Sequence, residues 1–432
     1  KNKKNKGNII IVELKRWQKV KKVLHKDGIV KTILGKGGIM HETAHPSYQA
    51  WSYYKLIKEY NDTLRKEKID LFPCAYLHNF EHKNKKDLVS SIYSNYLEKA
   101  PVYLKEDFAL LQKFIEKKIK KSDKKNLLFK IDKGRIKPSK SLQDVLEKML
   151  KGNEEFTMID SQKVIYEQAL SLAKKTKEDG KKRVMIVEGG PGTGKSVLAI
   201  NLLVKLINQN ILSLYVSKNA APRNVYSKKL SGKYKQKYIS SLFSGSGSFI
   251  ETPKKLFDAL IVDEAHRLNE KSGMYKNKGE NQIKEIINSS KFSIFFIDEN
   301  QRIDLMDIGS KDEIIKWAKK LKCETHSGYV LESQFRCNGS DGYLAWLDDV
   351  LGISKTANFD GFDDKYEIKV FDDPNEMKKI IEEKNKKNNK SRLLAGYCWD
   401  WVSKGRADTN VHDIKIPEKN FSMSWNLNNT ST

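Results

Sequence analysis

The fold of this chain is decided by one stretch, Gly189-Gly190-Pro191-Gly192-Thr193-Gly194-Lys195-Ser196. It fits the pattern G-x-x-x-x-G-K-[ST], in which glycines let backbone N–H groups surround a phosphate and the next helix points its positive N-terminus at it. Apolar residues predict a strand over 183–188 and a helix over 197–207. We expect Lys195 to contact the β- and γ-phosphates of ATP and Ser196 to bind Mg²⁺. A chance glycine-rich turn is the alternative.

A second motif supplies the acidic partner of this loop. In Leu260-Ile261-Val262-Asp263-Glu264-Ala265-His266, two carboxylates follow an apolar strand. Open α/β sheets bind ligands at the carboxyl ends of their strands. We expect Asp263 to hold Mg²⁺ through water, and Glu264 to orient and deprotonate the attacking water. Two exposed acids at a strand end are the alternative, which the upstream phosphate loop disfavours.

Three further polar residues are predicted to complete the ATP site. Gln301 closes the run Asp298-Glu299-Asn300-Gln301 after an apolar strand, where it could sense the γ-phosphate. Arg336 could act as an arginine finger that stabilises charge in the transition state. Gln162, before the first core strand, could read adenine. Each of the three could instead be an ordinary surface residue.

Short apolar strands alternate with helices around these motifs. This alternation predicts a parallel, doubly wound sheet. A Ser at 310 and a Glu at 313 fit a capping box before a helix. The remaining predicted strands cover 9–14, 69–77, 211–216, 256–262, 292–297 and 367–371, and further predicted helices cover 48–64, 105–121 and 141–150.

Residues 156–432 resemble the Schlafen group III helicase domain. The resemblance implies a superfamily 1-like ATPase of RecA fold, with nucleic-acid-dependent helicase or translocase activity. We expect a first RecA-like lobe over 156–324. The matching stretches are 188–196, 260–269, 279–302, 331–351 and 395–404.

The end of the chain departs from the superfamily 1 pattern. Such motors finish their second lobe with a Gln-Gly-containing motif and a later Arg motif. Neither motif occurs before Thr432. We therefore expect the sequence to be a piece of a longer protein, with only a partial second RecA-like lobe over 325–432.

The start of the chain carries a possible nuclease motif. The strand Ile9-Ile10-Ile11-Val12-Glu13-Leu14-Lys15 ends in Glu-x-Lys, and period-two alternation puts Glu13 and Lys15 on one face. A metal-binding carboxylate beside a Lys that steadies the attacking water suits phosphodiester cleavage. With Gln49 and Tyr53 on the next helix, residues 1–104 resemble RecB-like members of the PD-(D/E)XK fold, a restriction-endonuclease-like α/β domain. Residues 105–155 are predicted to form a basic helical linker.

The nuclease pattern also requires an Asp on the preceding strand. None of residues 1–12 is acidic, so we expect the N-terminal part of this domain to be missing from the sequence. Glu13 would bind Mg²⁺ or Mn²⁺ together with that upstream Asp. A degenerate, structural nuclease fold is the alternative. The spacing of Cys74, His78 and His82 invites a zinc interpretation, but no fourth ligand is evident and ordinary packing is favoured.

Composition supports a polyanion partner. The chain has 432 residues, with 81 Lys+Arg against 55 Asp+Glu, a net charge of +26 and a pI of about 9.5. Excess basic charge favours nucleic acid, although Lys richness is also typical of a solvated surface. Four cysteines exclude a disulfide scaffold. No apolar run approaches the ~18–20 residues of a membrane span, so we expect a cytoplasmic protein without a membrane partner.

These features predict an ATP-dependent helicase or translocase coupled to a metal-dependent nuclease-type domain. We favour DNA over RNA as the substrate, and prokaryotic DNA processing or antiviral defence as the role. The rival is a nucleotide-gated switch that binds nucleic acid or a partner protein without unwinding, and whose nuclease domain is degenerate.

Overall fold

The computed structural model describes residues 7–35, 37–67, 69–124, 126–132, 134, 141–273, 277–302, 304–332, 341–353, 367–395, 398–403 and 411–425. The chain divides between residues 360 and 361 into two compact units.

The first 150 residues form an α/β region. Its elements are β1 (Gly7–Lys15), β2 (Val20–Lys22), β3 (Ile29–Ile33), β4 (Met40–Ala44), α1 (Pro46–Tyr60), α2 (Asp62–Lys66), β5 (Ile69–Leu77), α3 (Ser94–Lys99), β6 (Val102–Leu104), α4 (Phe108–Lys118), α5 (Leu127–Asp132) and α6 (Leu142–Leu150). Strands β1, β5 and β6 pair in parallel, and Glu13 of β1 lies opposite Ala75 of β5. Strands β2, β3 and β4 form an antiparallel meander.

Two predicted helices in this region are interrupted or shortened. The helix predicted over 48–64 breaks at Asn61, whose side chain accepts hydrogen bonds from the N–H groups of Thr63 and Leu64 and so starts α2. The helix predicted over 105–121 begins with a 3₁₀ turn at Lys105–Asp107 and continues as α4. The strands predicted over 9–14 and 69–77 are confirmed as β1 and β5.

The next region holds the phosphate loop. Its elements are α7 (Asp160–Asp179), β7 (Arg183–Gly189), α8 (Lys195–Asn208), β8 (Ser213–Val216), α9 (Ala220–Leu230), α10 (Gln236–Ser240), β9 (Phe243–Ser244), β10 (Phe257–Val262), α11 (Gln282–Ser289), β11 (Ser290–Ile297), α12 (Lys311–Lys320), β12 (Glu324–Leu331) and α13 (Asp341–Val350). Among the described residues, six strands form one parallel sheet in the order β12-β7-β11-β10-β8-β9.

This sheet is covered by helices on both faces. Successive side chains of a strand point to opposite faces, and the strands here divide their buried residues accordingly. Val187 and Ile261 pack in one core with α6, α7 and α8, whereas Ile186 and Val262 pack in another with α11 and α12. The predicted parallel sheet with helices on both faces is therefore confirmed, and the carboxyl ends of β7, β10 and β11 meet at one edge.

The structure differs from the sequence-based expectation at two places. Strand β12 pairs with β7, so the first sheet continues past residue 324, where we predicted the first lobe to end. The strand predicted over 367–371 is wrong, because this segment is neither helix nor strand. Ile368 and Val370 are 46% and 92% exposed, so their apolar alternation is not buried against any sheet.

The second unit contains α14 (Pro374–Asn388), β13 (Ile414–Ile416) and β14 (Phe421–Met423). Strands β13 and β14 pair antiparallel. Helix α14 starts at Asp373, whose side chain accepts a hydrogen bond from the N–H of Asn375, and it ends at Asn389 in the left-handed region. The last turn of α14 is basic, with Lys386 and Lys387 near its carboxyl end.

Candidate functional site

The phosphate loop joins β7 to α8. Gly192 and Gly194 have φ values of +79° and +89°, a left-handed conformation that a side chain would strain. Nζ of Lys195 donates hydrogen bonds to the carbonyl oxygens of Gly189 at 2.7 Å and Gly190 at 2.9 Å. No side chain among the described residues caps the N-terminus of α8, so its first N–H groups can bind an anion.

The acidic pair follows β10, two strands away from the loop strand. Asp263 is 1% exposed. Its Oδ2 accepts a hydrogen bond from the Tyr215 hydroxyl at 2.6 Å, its Oδ1 accepts one from the N–H of Glu264 at 3.0 Å, and the Ser196 hydroxyl also bonds to it. Burial raises the pKa of Asp263, and the charge of Glu264 adds to this, while the hydrogen bonds oppose it.

Ser196 and Asp263 thus come together from two separate motifs. A hydroxyl and a carboxylate are ligand types that suit Mg²⁺. Because the carboxylate is buried and its pKa is raised, the site favours a cation at this carboxylate. The pair therefore fits the metal that the sequence implied.

Glu264 is held by a residue for which we predicted no role. Glu264 has φ +52°, and its Oε2 lies 3.0 Å from Nε2 of His266. The imidazole of His266 is 1% exposed, and its Nδ1 accepts a hydrogen bond from the backbone N–H of Asp298 at 3.1 Å. His266 therefore joins the acidic motif to the end of β11. It stands inside the quoted motif, but its partner Asp298 lies far along the chain.

The end of β11 also faces the phosphate-loop lysine. Oδ2 of Asp298 lies 3.8 Å from Nζ of Lys195 and has no hydrogen-bond partner among the described residues. Burial raises the pKa of Asp298, and the positive charge of Lys195 opposes the rise. Gln301, for which we predicted γ-phosphate sensing, ends the 3₁₀ turn Glu299–Gln301 that follows Asp298 directly. We predicted a role for Gln301 but not for Asp298.

Gln162 lies beneath the phosphate loop. Its side chain is buried, its Nε2 donates to the carbonyl oxygen of Thr193 at 2.9 Å, and its Oε1 accepts from the N–H of Ile159 at 3.4 Å. The amide is therefore engaged with the loop and with the start of α7. Adenine reading by Gln162 stays a prediction. The predicted arginine finger, Arg336, lies outside the described residues.

The nuclease-type motif lies at the carboxyl end of β1. Nζ of Lys15 is 2.8 Å from Oε1 of Glu13, and both side chains are largely buried. The two residues therefore share a face of the strand, as the alternation predicted. Among the described residues, no group of three or more His, Cys, Asp or Glu side chains is arranged to hold a metal. Glu13 would thus need a further ligand to complete a metal site.

Gln49 and Tyr53 lie on α1 and contact a carboxylate from α7. Nε2 of Gln49 is 2.6 Å from Oδ1 of Asp160, and the Tyr53 hydroxyl lies 2.8 Å from each Asp160 oxygen. Nε2 of Gln49 also donates to the Tyr53 hydroxyl at 3.1 Å. Burial raises the pKa of Tyr53, and the charges of Asp160 and Glu13 raise it further. Helix α1, which carries Tyr53, packs against β1, the strand of Glu13. We did not predict a role for Asp160.

The weaker sequence patterns have structural explanations. Cys74 is buried in β5, and burial raises the pKa of its thiol to about 11. His82, the last member of the pattern that invited a zinc interpretation, pairs with Asp107 at 3.0 Å. In the part of the chain that the structure describes, no helix has the length and apolar character needed to cross a bilayer.

Comparison with known families gives one match that covers most of the chain. The family described as Schlafen group 3, DNA/RNA helicase domain, matches residues 182–432. An uncharacterized protein of Saccharomyces cerevisiae is 24% identical over 306 residues, which are 62% of this chain and 66% of the yeast protein. The chain thus spans slightly less than two thirds of the length of this relative.

Two solved structures show weaker similarity. The first is a Sulfolobus solfataricus SWI2/SNF2 ATPase core in complex with dsDNA, with 17% identity, a TM-score of 0.23, and coverage of 39% of this chain and 44% of that one. The second is the Hef helicase domain of Pyrococcus furiosus, with 12% identity, a TM-score of 0.23, and coverage of 38% and 36%.

Proposed function

Because the chain belongs to the Schlafen group 3 DNA/RNA helicase domain family, we propose that it is an ATP-dependent nucleic-acid motor, a helicase or translocase, preceded by a nuclease-type domain. The observation that carries this proposal is the meeting of Ser196, Lys195 and Asp263 at one edge of a parallel sheet. We further propose a RecA-like first lobe that ends with β12. In support of it, one strand, β11, separates the loop strand from the acidic strand.

The residues of the ATP site have separate roles in this proposal. Lys195 exchanges its carbonyl partners for the β- and γ-phosphates, and the N–H groups of the loop and of α8 bind the same oxygens. Ser196 and Asp263 would hold Mg²⁺, which would supply positive charge beside the phosphates. Glu264, held by His266, orients the attacking water and accepts its proton. Gln301 senses the γ-phosphate.

Nucleic acid is the proposed second polyanion. A net charge of +26 favours a phosphate backbone. Such binding weakens steeply as the salt concentration rises, because the counterions that the protein displaces from the backbone then gain less entropy. We favour DNA over RNA, and a role in DNA processing or antiviral defence. The rival proposal is a nucleotide-gated switch, which would bind nucleic acid or a partner protein without unwinding.

A strand-displacement assay separates the motor from the switch. The full chain is incubated with ATP, Mg²⁺ and matched DNA and RNA duplexes that carry single-stranded tails, at low and high salt. The motor predicts displacement that needs hydrolysable ATP and is lost in Lys195→Ala. Tight, nucleotide-dependent binding without displacement of either duplex would support the switch and contradict the motor.

The nuclease-type region is proposed to cut nucleic acid with Mg²⁺ or Mn²⁺ held by Glu13. Lys15 would steady the attacking water, and Gln49 and Tyr53 of α1 would assist. In a protein whose upstream segment supplies the further Asp ligand, Glu13→Gln and Lys15→Ala should each abolish metal-dependent cutting and leave ATP hydrolysis intact. His78→Ala, at an exposed position of the same region, is the control. Cutting that persists in both variants would overturn the assignment.

A further inference from the structure

One acidic residue links the nuclease-type region to the ATP site. Asp160, the first residue of α7, accepts hydrogen bonds from Gln49 and Tyr53 of α1 through both of its carboxylate oxygens. Hydrogen bonds to an ionised carboxylate are stronger than neutral ones. The position of this carboxylate therefore determines where the two α1 side chains lie.

Asp160 is also close to the phosphate loop along the chain. Gln162 follows it by two residues and donates to the carbonyl oxygen of Thr193 at 2.9 Å. Asp160 has φ +40°, in a region that residues other than glycine rarely adopt. Such a conformation persists only where the surroundings hold it. The path from the phosphate loop to Asp160 is therefore short. It consists of the hydrogen bond between Thr193 and Gln162 and of the two peptide bonds between Gln162 and Asp160.

The interface around this link is buried and well bonded. The Tyr48 hydroxyl donates to the carbonyl oxygen of Met158 at 2.6 Å. Lys163 of α7 is 5% exposed and pairs with Asp27 at 2.7 Å and with Glu167 at 2.9 Å. The Tyr48 hydrogen bond ties α1 to the segment before α7, and the pair between Lys163 and Asp27 ties α7 to the turn before β3.

The α1 side of the link ends in an orphaned acceptor. Oε1 of Gln49 is buried and has no hydrogen-bond partner among the described residues. The amide cannot be turned over, because Oε1 would then face the carboxylate of Asp160. Asp160 therefore fixes the direction in which the free acceptor Oε1 of Gln49 points. Gln49 lies on α1, which packs against the strand of Glu13.

We propose that Asp160 is a positioning residue that couples the phosphate loop to the nuclease-type site. Nucleotide binding alters the contact between Gln162 and Thr193, which displaces Asp160 and reorients Gln49 and Tyr53 beside Glu13. The proposal rests on the proposed ATP site. It does not require that the nuclease-type region be active, because it concerns the arrangement of side chains.

Hydrogen exchange of the full chain tests this coupling without an activity readout. Backbone exchange is measured with and without a non-hydrolysable ATP analogue and Mg²⁺. In the unmodified protein we expect slower exchange in the phosphate loop and, in addition, a nucleotide-dependent change in α1. In Asp160→Gly, which tolerates the positive φ, the loop keeps its response and α1 loses its own.

Two further variants make the result independent of how well Asp160→Gly folds. Tyr53→Phe removes one partner of Asp160 but keeps the ring, and should also remove the α1 response. Tyr54→Phe, the neighbour on the same helix that pairs with Lys58, should keep it. An α1 response that survives in both Asp160→Gly and Tyr53→Phe, or that is absent from the unmodified protein while the loop responds, overturns the coupling. A loop that shows no response to nucleotide overturns the ATP site itself.

Discussion

Nε2 of His266 lies 3.0 Å from Oε2 of Glu264, the residue proposed to activate the attacking water. Nδ1 of the same ring accepts a hydrogen bond from the backbone N–H of Asp298, so the proton of a neutral ring is on Nε2 and points at the carboxylate. The ring therefore fixes the direction of Glu264 relative to the end of β11.

Removing this ring should weaken catalysis more than nucleotide binding. We expect His266→Ala to lower the kcat of ATP hydrolysis by about 10–100-fold, the usual effect of losing a partner that orients a catalytic ligand. The KM for ATP should change little, because the polar partners of the His266 ring are Glu264 and the backbone of Asp298. His266→Gln, which can still donate to Glu264, should recover part of the loss. His78→Ala is the control, and an equal kcat in His266→Ala and the control would contradict the role.

The Asp263 carboxylate should be needed for ATP hydrolysis although it lowers the stability of the folded protein. Burial and the charge of Glu264 raise the pKa of Asp263, so the folded protein spends free energy to keep this carboxylate ionised. We expect Asp263→Asn to melt at the same or a higher temperature than the unmodified protein without nucleotide. Its Mg²⁺-dependent ATP hydrolysis should fall at least about 100-fold, as for other groups that stabilise transition-state charge.

A second aspartate of the same strand provides the control for this melting experiment. Asp258 pairs with Lys291 at 2.8 Å. Burial alone would raise the pKa of Asp258, but the pairing with Lys291 holds this pKa below its usual value. Asp258→Asn should therefore lower the melting temperature and retain hydrolysis. A drop in Asp263→Asn as large as that in Asp258→Asn would contradict the prediction.

His45 should make the stability of the first unit depend on pH. Burial lowers the pKa of His45 to about 4, although its hydrogen bond to the carbonyl oxygen of Leu88 opposes this. In the unfolded chain the pKa is about 6.5. As pH falls from about 6.5 to 4, the unfolded chain therefore binds a proton that the folded protein excludes. The free energy of unfolding should fall by roughly 3 kcal/mol over this range through His45 alone.

Urea unfolding between pH 7 and 4.5 measures this effect. His45 caps α1 by accepting a hydrogen bond from the N–H of Ser47, and Asn can cap in the same way. His45→Asn should therefore remove much of the pH dependence. His78→Asn, at an exposed position, should keep it. Parallel pH profiles for His45→Asn and the unmodified protein would show that His45 is not the titrating group.

Gly309 should tolerate no side chain. A Cβ atom there would lie 1.8 Å from the carbonyl oxygen of Ala265 and 2.6 Å from Cα of His266. We expect Gly309→Ala to destabilise the protein by about 1–3 kcal/mol or more, the usual cost of overpacking, and to reduce hydrolysis by displacing the acidic motif. Asp312→Ala, at an exposed position nearby, should cost less than about 1 kcal/mol. Equal melting temperatures for the two variants would contradict this close approach.

Local patterns predicted the elements but not the links between them. The sheet strands were recognisable because short apolar runs were bounded by turn residues, and β5 matches its predicted range. The segment 367–371 is an exception. Val370 alternates with polar neighbours, but this alternation does not reveal whether a neighbouring strand or helix covers the segment, and Val370 is exposed.

The candidate ATP site was predictable where one motif holds the residues together. Lys195 and Ser196 belong to the loop, and Asp263 and Glu264 to one strand end. By contrast, His266 meets Asp298 across 32 residues, and Gln49 meets Asp160 across 111. Such pairs depend on how elements pack, which no local pattern contains.

We propose that this site hydrolyses ATP and that nucleic acid controls the rate. The most direct measurement is steady-state hydrolysis by the full chain with Mg²⁺, with and without single-stranded DNA, in the unmodified protein and in Glu264→Gln. We predict that DNA accelerates the unmodified protein, and that Glu264→Gln still binds ATP but is slower by about 10²–10⁴-fold, the usual contribution of a general base. A rate that is equal in the two proteins, or unaffected by nucleic acid, would contradict the account.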